Sequence, residues 1–201
     1  MTTFQNDDFL YYKTSGGAII REGVTVEKNI SSADTGVLTI STKDEDMGVV
    51  MYSLCEKNGV KSLNFEGLYS HVEGKSVGTK LISELIKLSK DMGCEGRLTA
   101  QANPFRLSQN SEGDNNRPLS NLMFYYKLGF RADDEKKDRD ISQFIKRGER
   151  IPLGLNIFTD ISLSKEAAEA LELKQDSLKK SFEIQQNIIA QKIQNKALNK
   201  I

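Results

Sequence analysis

Apolar and polar residues alternate in short runs over residues 9 to 72: Phe9 to Tyr12, Ala18 to Ile20, Val24 to Val26, Gly36 to Ile40, Gly48 to Leu54 and Ser62 to Val72. A period of two sends successive side chains to opposite faces of a strand, so this half of the chain reads as strand-rich. Gly16-Gly17, Asp34-Thr35-Gly36 and Lys57-Asn58-Gly59 punctuate the runs. The last two are predicted as hairpin turns, because Asn and Gly tolerate positive φ. An antiparallel meander is the expected result.

At Val77 the period changes. Val77, Leu81, Leu85, Ile86 and Leu88 recur at helical spacings as far as Met92, and Gly93 closes the run. Arg97 to Ala102 follows as a short strand, so residues 62 to 102 read as strand, helix, strand: a βαβ unit with one crossover. Residues 103 to 117 are polar and rich in Asn, Ser and Gly, a long loop of the kind that carries function or moves. Pro118 to Leu128 reads as a second helix, with Pro at an early position and Gly129 as its stop. Phe130-Arg-Ala starts another strand. The charge-dense stretch Asp133 to Asp140 reads as a solvated excursion, and Pro152 to Ile161 as a final strand.

Beyond Ser164 the last 37 residues hold no Gly or Pro and are dominated by Ala, Leu, Glu, Lys and Gln. They predict one helix about 50 Å long. Leu171, Leu178, Phe182, Ile189 and Ile193 form an apolar stripe, which Lys174 and Gln185 keep from being a clean heptad. The stripe needs cover from its own domain, from a second copy or from another protein.

Charge and composition narrow the function classes. Lys plus Arg number 28 and Asp plus Glu 28, so no net charge is available to hold a polyanion, and nucleic acid is not an expected partner. At 201 residues the chain is one ordinary domain plus an extension. No run approaches the eighteen apolar residues of a membrane span, and Met1 to Asp8 lacks the basic start and apolar run of a signal peptide. A cytoplasmic protein without a membrane partner is expected, with delivery to another cell left open. Cys55, Cys94 and the single histidine His71 are too few for a disulfide scaffold, a zinc cluster or a His-based triad, so no metal is expected. Both cysteines sit in apolar runs and read as buried, inert thiols.

The most informative stretch runs from Leu68 through Tyr69, Ser70, His71, Val72, Glu73, Gly74, Lys75, Ser76, Val77, Gly78 and Thr79 to Leu81. Here a strand passes through a loop of small residues straight into a helix. Backbone N–H groups at a helix start are unpaired, the helix dipole favours negative charge, and Gly74, Ser76 and Gly78 let a ligand approach, so the stretch is an anion site. It has neither the Gly-Lys-Ser/Thr of a P-loop nor a Gly-x-Gly-x-x-Gly.

Glu73 to Gly78 resembles the acyl-CoA pyrophosphate loop of the GNAT N-acetyltransferase superfamily, Gln/Arg-x-x-Gly-x-Gly/Ala. Phe124-Tyr-Tyr-Lys-Leu-Gly-Phe130 resembles that family's helix ending Phe-Tyr-x-Lys-Leu-Gly-Phe. The motifs occur in the family's order, and the likeness covers roughly residues 36 to 131. Glu73 replaces the usual Gln or Arg, Ser76 the first Gly, and Pro118 an Asn. The helix pair that usually follows the first strand is absent from the pattern, since residues 17 to 35 read as strands and turns.

The resemblance implies an α/β fold: a mixed, mostly antiparallel twisted sheet with a central βαβ acyl-CoA unit over 1–162, and a helical extension over 163–201. It implies an N-acetyltransferase that uses acetyl-CoA, with an amine acceptor attacking directly in a ternary complex. Residues Leu68 to Ser70 and Glu73 to Thr79 would bind the cosubstrate, with the oxyanion near Leu68 to Ser70. Tyr125 would be the acid that protonates the leaving thiolate. Glu66, on the strand before the loop and sharing parity with Leu68, is the candidate base, ahead of Glu56 and His71; a lysine-like amine costs about 4–5 kcal/mol to deprotonate at pH 7. Two other readings stay open: a non-catalytic domain acting through residues 164 to 201, and an effector that acetylates proteins of another cell.

Overall fold

The alternating half of the chain folds into five antiparallel strands in sequence order: β1 (Asp8–Lys13), β2 (Ile19–Ile30), β3 (Thr35–Ser41), β4 (Asp46–Lys57) and β5 (Val60–Ser70). The computed structural model describes residues 8–72, 74–102, 120–149, 151–156 and 158–198. The loop expected over 103 to 117, together with Pro118 and Glu73, lies outside them. β3 shows how the pattern works. Gly36, Leu38 and Ile40 are buried while Thr35, Val37, Thr39 and Ser41 are half-buried, and the buried set faces Tyr52, Val50 and Gly48 across the ladder. Gly36 is required there, since a Cβ would sit 2.3 Å from the Tyr52 hydroxyl.

The Asn58-Gly59 turn forms as expected, with φ of 55° and 75°, the two positive values of a type I′ hairpin. The other turn falls earlier than Asp34-Thr35-Gly36. It spans 31–34, closed by Ser31 and Ser32 N–H groups on the Thr35 carbonyl, and Gly36 already belongs to β3. The runs Ala18 to Ile20 and Val24 to Val26 merge into one strand that changes partner: residues 19–24 pair with β1 and residues 25–30 with β3.

Helix α1 (Val77–Asp91) buries Val77, Leu81, Ile82, Leu85 and Ile86 and ends at a left-handed Gly93. It leads to β6 (Leu98–Ala102), parallel to β5. Helix α2 (Ser120–Lys127) is followed by β7 (Arg131–Ala132), and β8 (Thr159–Leu163) inserts between β6 and β7. The molecule is thus a mixed α/β fold, with an eight-stranded, mostly antiparallel sheet, one parallel pair and a long C-terminal helix. Phe130, Leu63, Leu98, Ile161 and Leu163 join the α1 side chains in one core.

Two expectations need correction. The stretch Asp133 to Asp140 faces solvent for most of its length, but it is not an excursion: it leads into and starts helix α3 (Glu135–Arg147). Asp134 caps it by accepting from Lys137 N–H at 2.8 Å. Asp138 accepts the Tyr126 hydroxyl at 2.7 Å and the Ala132 N–H at 3.1 Å. Acidic residues in a first helical turn suit the dipole, and Ile141, Phe144 and Ile145 give the buried face. The span Pro152 to Ile161 is not one strand either. Pro152 precedes a single turn, α4 (Leu153–Asn156), and the strand begins only at Thr159, whose hydroxyl donates to the Leu155 carbonyl at 2.7 Å.

The final helix, α5 (Lys165–Leu198), has the expected length. Its first turn packs where only small residues fit: Cβ atoms added at Gly96 and Gly129 would lie 3.1 Å and 3.2 Å from Ala168 and Ala167. Farther along, Leu171 is buried, Phe182 meets Tyr11 edge-on at 5.8 Å, and Gln185 Oε1 accepts the Ile19 N–H at 3.3 Å. The stripe is therefore covered by its own chain as far as Gln185, whereas Ile189 and Ile193 are 50% and 63% exposed. Cutting the chain after Ser164 is expected to lower Tm by about 10 °C or more, since the buried Leu171 and the half-buried Leu178 and Phe182 are lost, each contributing up to about 1.5–3 kcal/mol. Cutting after residue 186 is expected to leave Tm within about 2 °C, as read by calorimetry.

Candidate active site

The parallel pairing of β5 and β6 is brief. Leu63, Asn64 and Phe65 pair with Leu98, Thr99 and Ala100, yet β5 runs on to Ser70 and β6 to Ala102. The two strands part after Phe65 and leave a wedge between them. On the other edge of β5 the ladder with β4 also breaks: Glu66 pairs with Met51 and Tyr69 with Val49, while Gly67 and Leu68 have no cross-strand partner in either register. Gly67 makes this bulge. Its φ is 57°, and a Cβ there would lie 2.7 Å from the Tyr69 ring and 2.8 Å from Met51 Cε, so only glycine fits.

The bulge changes the expected geometry of the strand. Glu66 and Leu68 do not share a face. Leu68 approaches α1, with its Cδ2 3.5 Å from where a Gly78 Cβ would be. Glu66 stays exposed on the opposite face beside Met51 and accepts from Asn64 Nδ2 at 3.5 Å. Glu56 pairs with Lys61 beside the Asn58-Gly59 hairpin, at the far end of β5 from the wedge. The exposed His71 contributes its backbone, with N–H donating to the Met47 carbonyl at 2.8 Å. Ser70 closes the same turn by donating its hydroxyl to the Val72 carbonyl at 2.8 Å.

The loop then folds back into α1 through two left-handed residues. Gly74 has φ 79° and Ser76 φ 58°. Ser76 is the residue before the helix, and its side chain makes no capping bond. Ser76 thus holds left-handed geometry at a cost of about 1–2 kcal/mol that a glycine would not carry. Its carbonyl accepts the first helical bond from Lys80 N–H at 3.0 Å, so the N–H groups of Val77, Gly78 and Thr79 head the helix without intrahelical partners. Gly78 serves packing as well as access: a Cβ there would lie 3.1 Å from Phe124 Cζ.

Phe124 leads to the second motif. Tyr125 packs its ring against Phe124, Phe130 and Phe65, with centroids 5.3, 5.5 and 5.8 Å away. Phe65 is the last residue paired across to β6, so the Tyr125 ring sits at the root of the wedge. Burial pushes its phenol up to about 12, because the apolar surroundings disfavour phenolate. No hydrogen-bond partner of its hydroxyl falls among the described residues. Tyr126 points elsewhere. It is buried, and its hydroxyl is committed to Asp138 and to the Ala132 N–H at 3.1 Å.

Of the two thiols, Cys94 is buried and burial raises its pKa, in keeping with an inert residue. Cys55 is half-buried beside the Ser62 hydroxyl at 3.0 Å. Among the described residues no three His, Cys, Asp or Glu side chains gather as a metal set. No described helix is long and apolar enough to cross a membrane.

One participant escapes the linear reading. Lys75 Nζ lies 3.0 Å from Glu22 Oε1, on β2. Fifty-three residues separate the two, and no local pattern joins them; only the pairing of β1 with β2 and the docking of that hairpin beside α1 bring them together.

No family model matches the chain, and no curated protein matches it. Solved structures similar to it include a Bacillus subtilis acetyltransferase in complex with CoA, at 13% identity over 70% of this chain and 98% of that one, with a TM-score of 0.44. A second is a GNAT family acetyltransferase from Elizabethkingia anophelis with acetyl-CoA bound, at 12% identity over 70% and 97%, with a TM-score of 0.42. A third is an IAA acetyltransferase from Bacillus cereus, at 16% identity over 70% and 98%, with a TM-score of 0.41. What the chain is similar to, at low identity, is thus a group of acetyltransferases.

Proposed function

We propose that this chain is an acetyl-CoA-dependent N-acetyltransferase acting on an amine, with its site in the wedge between β5 and β6. The observation that carries the reading is the parting of the parallel pair after Phe65 and Ala100, with the head of α1 on one side and the Tyr125 ring at the root. The described loop fits an acyl-CoA. Gly74 has nothing within 4 Å of an added Cβ, the left-handed backbone at 74 and 76 turns small residues toward a ligand, and the helix dipole favours a pyrophosphate. A thioester bound there supplies an activated acetyl group.

The chain's own groups then have distinct tasks. Residues Gly74 to Thr79 hold the phosphates, and Gly67 and Leu68, outside both ladders, offer backbone N–H groups to the acetyl carbonyl oxygen as charge gathers on it. Glu66 lies on the face opposite the helices and receives the proton of the approaching ammonium. The amine nitrogen bonds to the acetyl carbon, the carbon–sulfur bond breaks, Tyr125 gives its phenolic proton to the departing thiolate, and the second proton shed by the nitrogen as the amide forms restores the phenol. A phenol held near 12 is neutral at every physiological pH and so is ready to donate.

The test is thiol release from acetyl-CoA over a panel of polyamines, amino acids, aminoglycosides and lysine peptides. Turnover on one class above the hydrolytic background is expected. Failure to bind acetyl-CoA in calorimetry would sink the reading, and binding without turnover would favour a non-catalytic module. The exposed Ile188, Ile189 and Ile193 support an added role for the end of α5 in contacting a second copy or another protein.

A further inference from the structure

Lys75 is the one basic side chain between His71 and Thr79, and the hairpin β1–β2 already holds it. Its ammonium lies 3.0 Å from Glu22 Oε1, and the two side chains keep 29% and 25% of their surface in solvent. The pair can therefore open without disturbing the core. The other carboxylate oxygen, Glu22 Oε2, is buried with no hydrogen-bond partner among the described residues. A buried acceptor left unpaired is a cost carried by the closed pair. Glu45 is a second carboxylate whose charge acts on Lys75, in the same direction as Glu22. The next lysine, Lys80, is also held, by Asp8 of β1 at 2.9 Å and Glu84 of α1 at 2.8 Å. The hairpin thus supplies a carboxylate to each of the two lysines flanking the head of α1.

We propose that Glu22 is an electrostatic brake on the β5–α1 loop: it holds Lys75 as a counter-ion and gives it up when the phosphates of an acyl-CoA occupy the loop. This rests on the reading of that loop as the acyl-CoA site. Lys75 stands between the two left-handed residues Gly74 and Ser76, next to the backbone that would meet the phosphates. A pyrophosphate, with two negative charges shared over its two phosphates, competes well for the ammonium against one carboxylate that is only half satisfied where it lies. Once released, Glu22 regains water on both oxygens. The hairpin thereby sets the affinity of the loop for its ligand.

A structural tie and a brake give different signatures. Loss of either partner of a structural tie harms the loop in the same direction, whereas the two partners of a brake act with opposite sign. In calorimetric titrations of the full chain, Lys75→Met is expected to weaken acetyl-CoA about tenfold. Glu22→Gln keeps the shape and is expected to tighten it about two- to fivefold. The double variant should match Lys75→Met, because the brake has nothing left to act on, and Lys75→Arg should bind like the unaltered chain. S-acetylpantetheine, which lacks the phosphates, should bind the unaltered chain and Glu22→Gln alike. If both single variants weaken acetyl-CoA, or if Glu22→Gln leaves it unchanged, the brake is overturned while the site stands. If the unaltered chain binds no acetyl-CoA, the site and the brake fall together.

Discussion

Tyr125→Phe is expected to lower kcat by at least two decades while leaving acetyl-CoA affinity and Tm nearly unchanged. The variant keeps the ring, and hence the edge-on contacts with Phe124 and Phe130 and the tilted contact with Phe65. It deletes only the hydroxyl, so the ring's packing is kept. Loss of a general acid costs about 10² to 10⁴ in rate, or roughly 3–5 kcal/mol, against about 1 kcal/mol for an ordinary hydrogen bond. The size of the effect therefore separates catalysis from packing, and a drop of only a few-fold would remove Tyr125 from the mechanism. The pH profile gives a second readout. Because burial pushes the phenol up to about 12, the donor stays protonated well past the ordinary tyrosine range near 10. No fall in kcat owing to Tyr125 is expected between pH 8 and about 10.5. Tyr126→Phe serves as the contrast: it breaks the bonds to Asp138 and Ala132, and should lower Tm rather than kcat.

Gly74→Asp is expected to weaken acetyl-CoA by at least about thirtyfold, and Gly74→Asn by no more than about threefold. Both residues tolerate the left-handed backbone that φ 79° demands better than other side chains do, and a Cβ at this position meets nothing within 4 Å. The two variants share shape and strain, so their difference is the charge. A carboxylate about 5 Å from a pyrophosphate opposes it by about 1–3 kcal/mol per unit charge at effective dielectrics between those of water and the protein surface. Salt supplies the control. At 1 M the Debye length is about 3 Å, so the gap between Asp and Asn should shrink there. Equal affinities for the two variants at low salt would mean that the phosphates lie elsewhere. Gly78 is a poorer position for this test, because a side chain there would displace Phe124.

How far the chain is legible from its sequence depends on the range of the interactions. The hairpin at Asn58-Gly59, helix α1 with its Gly93 stop, and the uninterrupted helix α5 are local objects, set by backbone preference and by one period of apolar residues. All three fall where the pattern puts them. Helix α3 is missed because its first turn, Glu135 to Asp138, is all charge. That charge reads as an irregular excursion until Asp134 is seen capping Lys137 and Asp138 is seen receiving the Tyr126 hydroxyl from another element. Gln185 looks like a break in the α5 stripe, and it turns out to serve the backbone of β2 at Ile19.

At the site the division is sharper. The small residues of the β5–α1 loop and the aromatic pair Phe124-Tyr125 are contiguous stretches, so their chemistry can be read one residue after the next. The face on which a side chain lies is a different matter. Glu66 and Leu68 obey a period of two in the sequence, but Gly67 inserts a bulge that only the clash of a Cβ with Tyr69 and Met51 explains, and the two side chains part to opposite faces. The choice of Tyr125 over Tyr126 follows from the helical period, but what occupies Tyr126 follows from Asp138, twelve residues away. The ion pair of Glu22 with Lys75, the approach of Phe124 to Gly78 and the wedge after Phe65 belong to the tertiary structure alone. Each joins segments tens of residues apart, and its energy exists only once the sheet order β1-β2-β3-β4-β5-β6-β8-β7 is formed. The sequence by itself determined the elements and the chemical character of the loop, because those depend on neighbours along the chain. The tertiary structure decided which charges meet and which faces open, because those depend on neighbours in space.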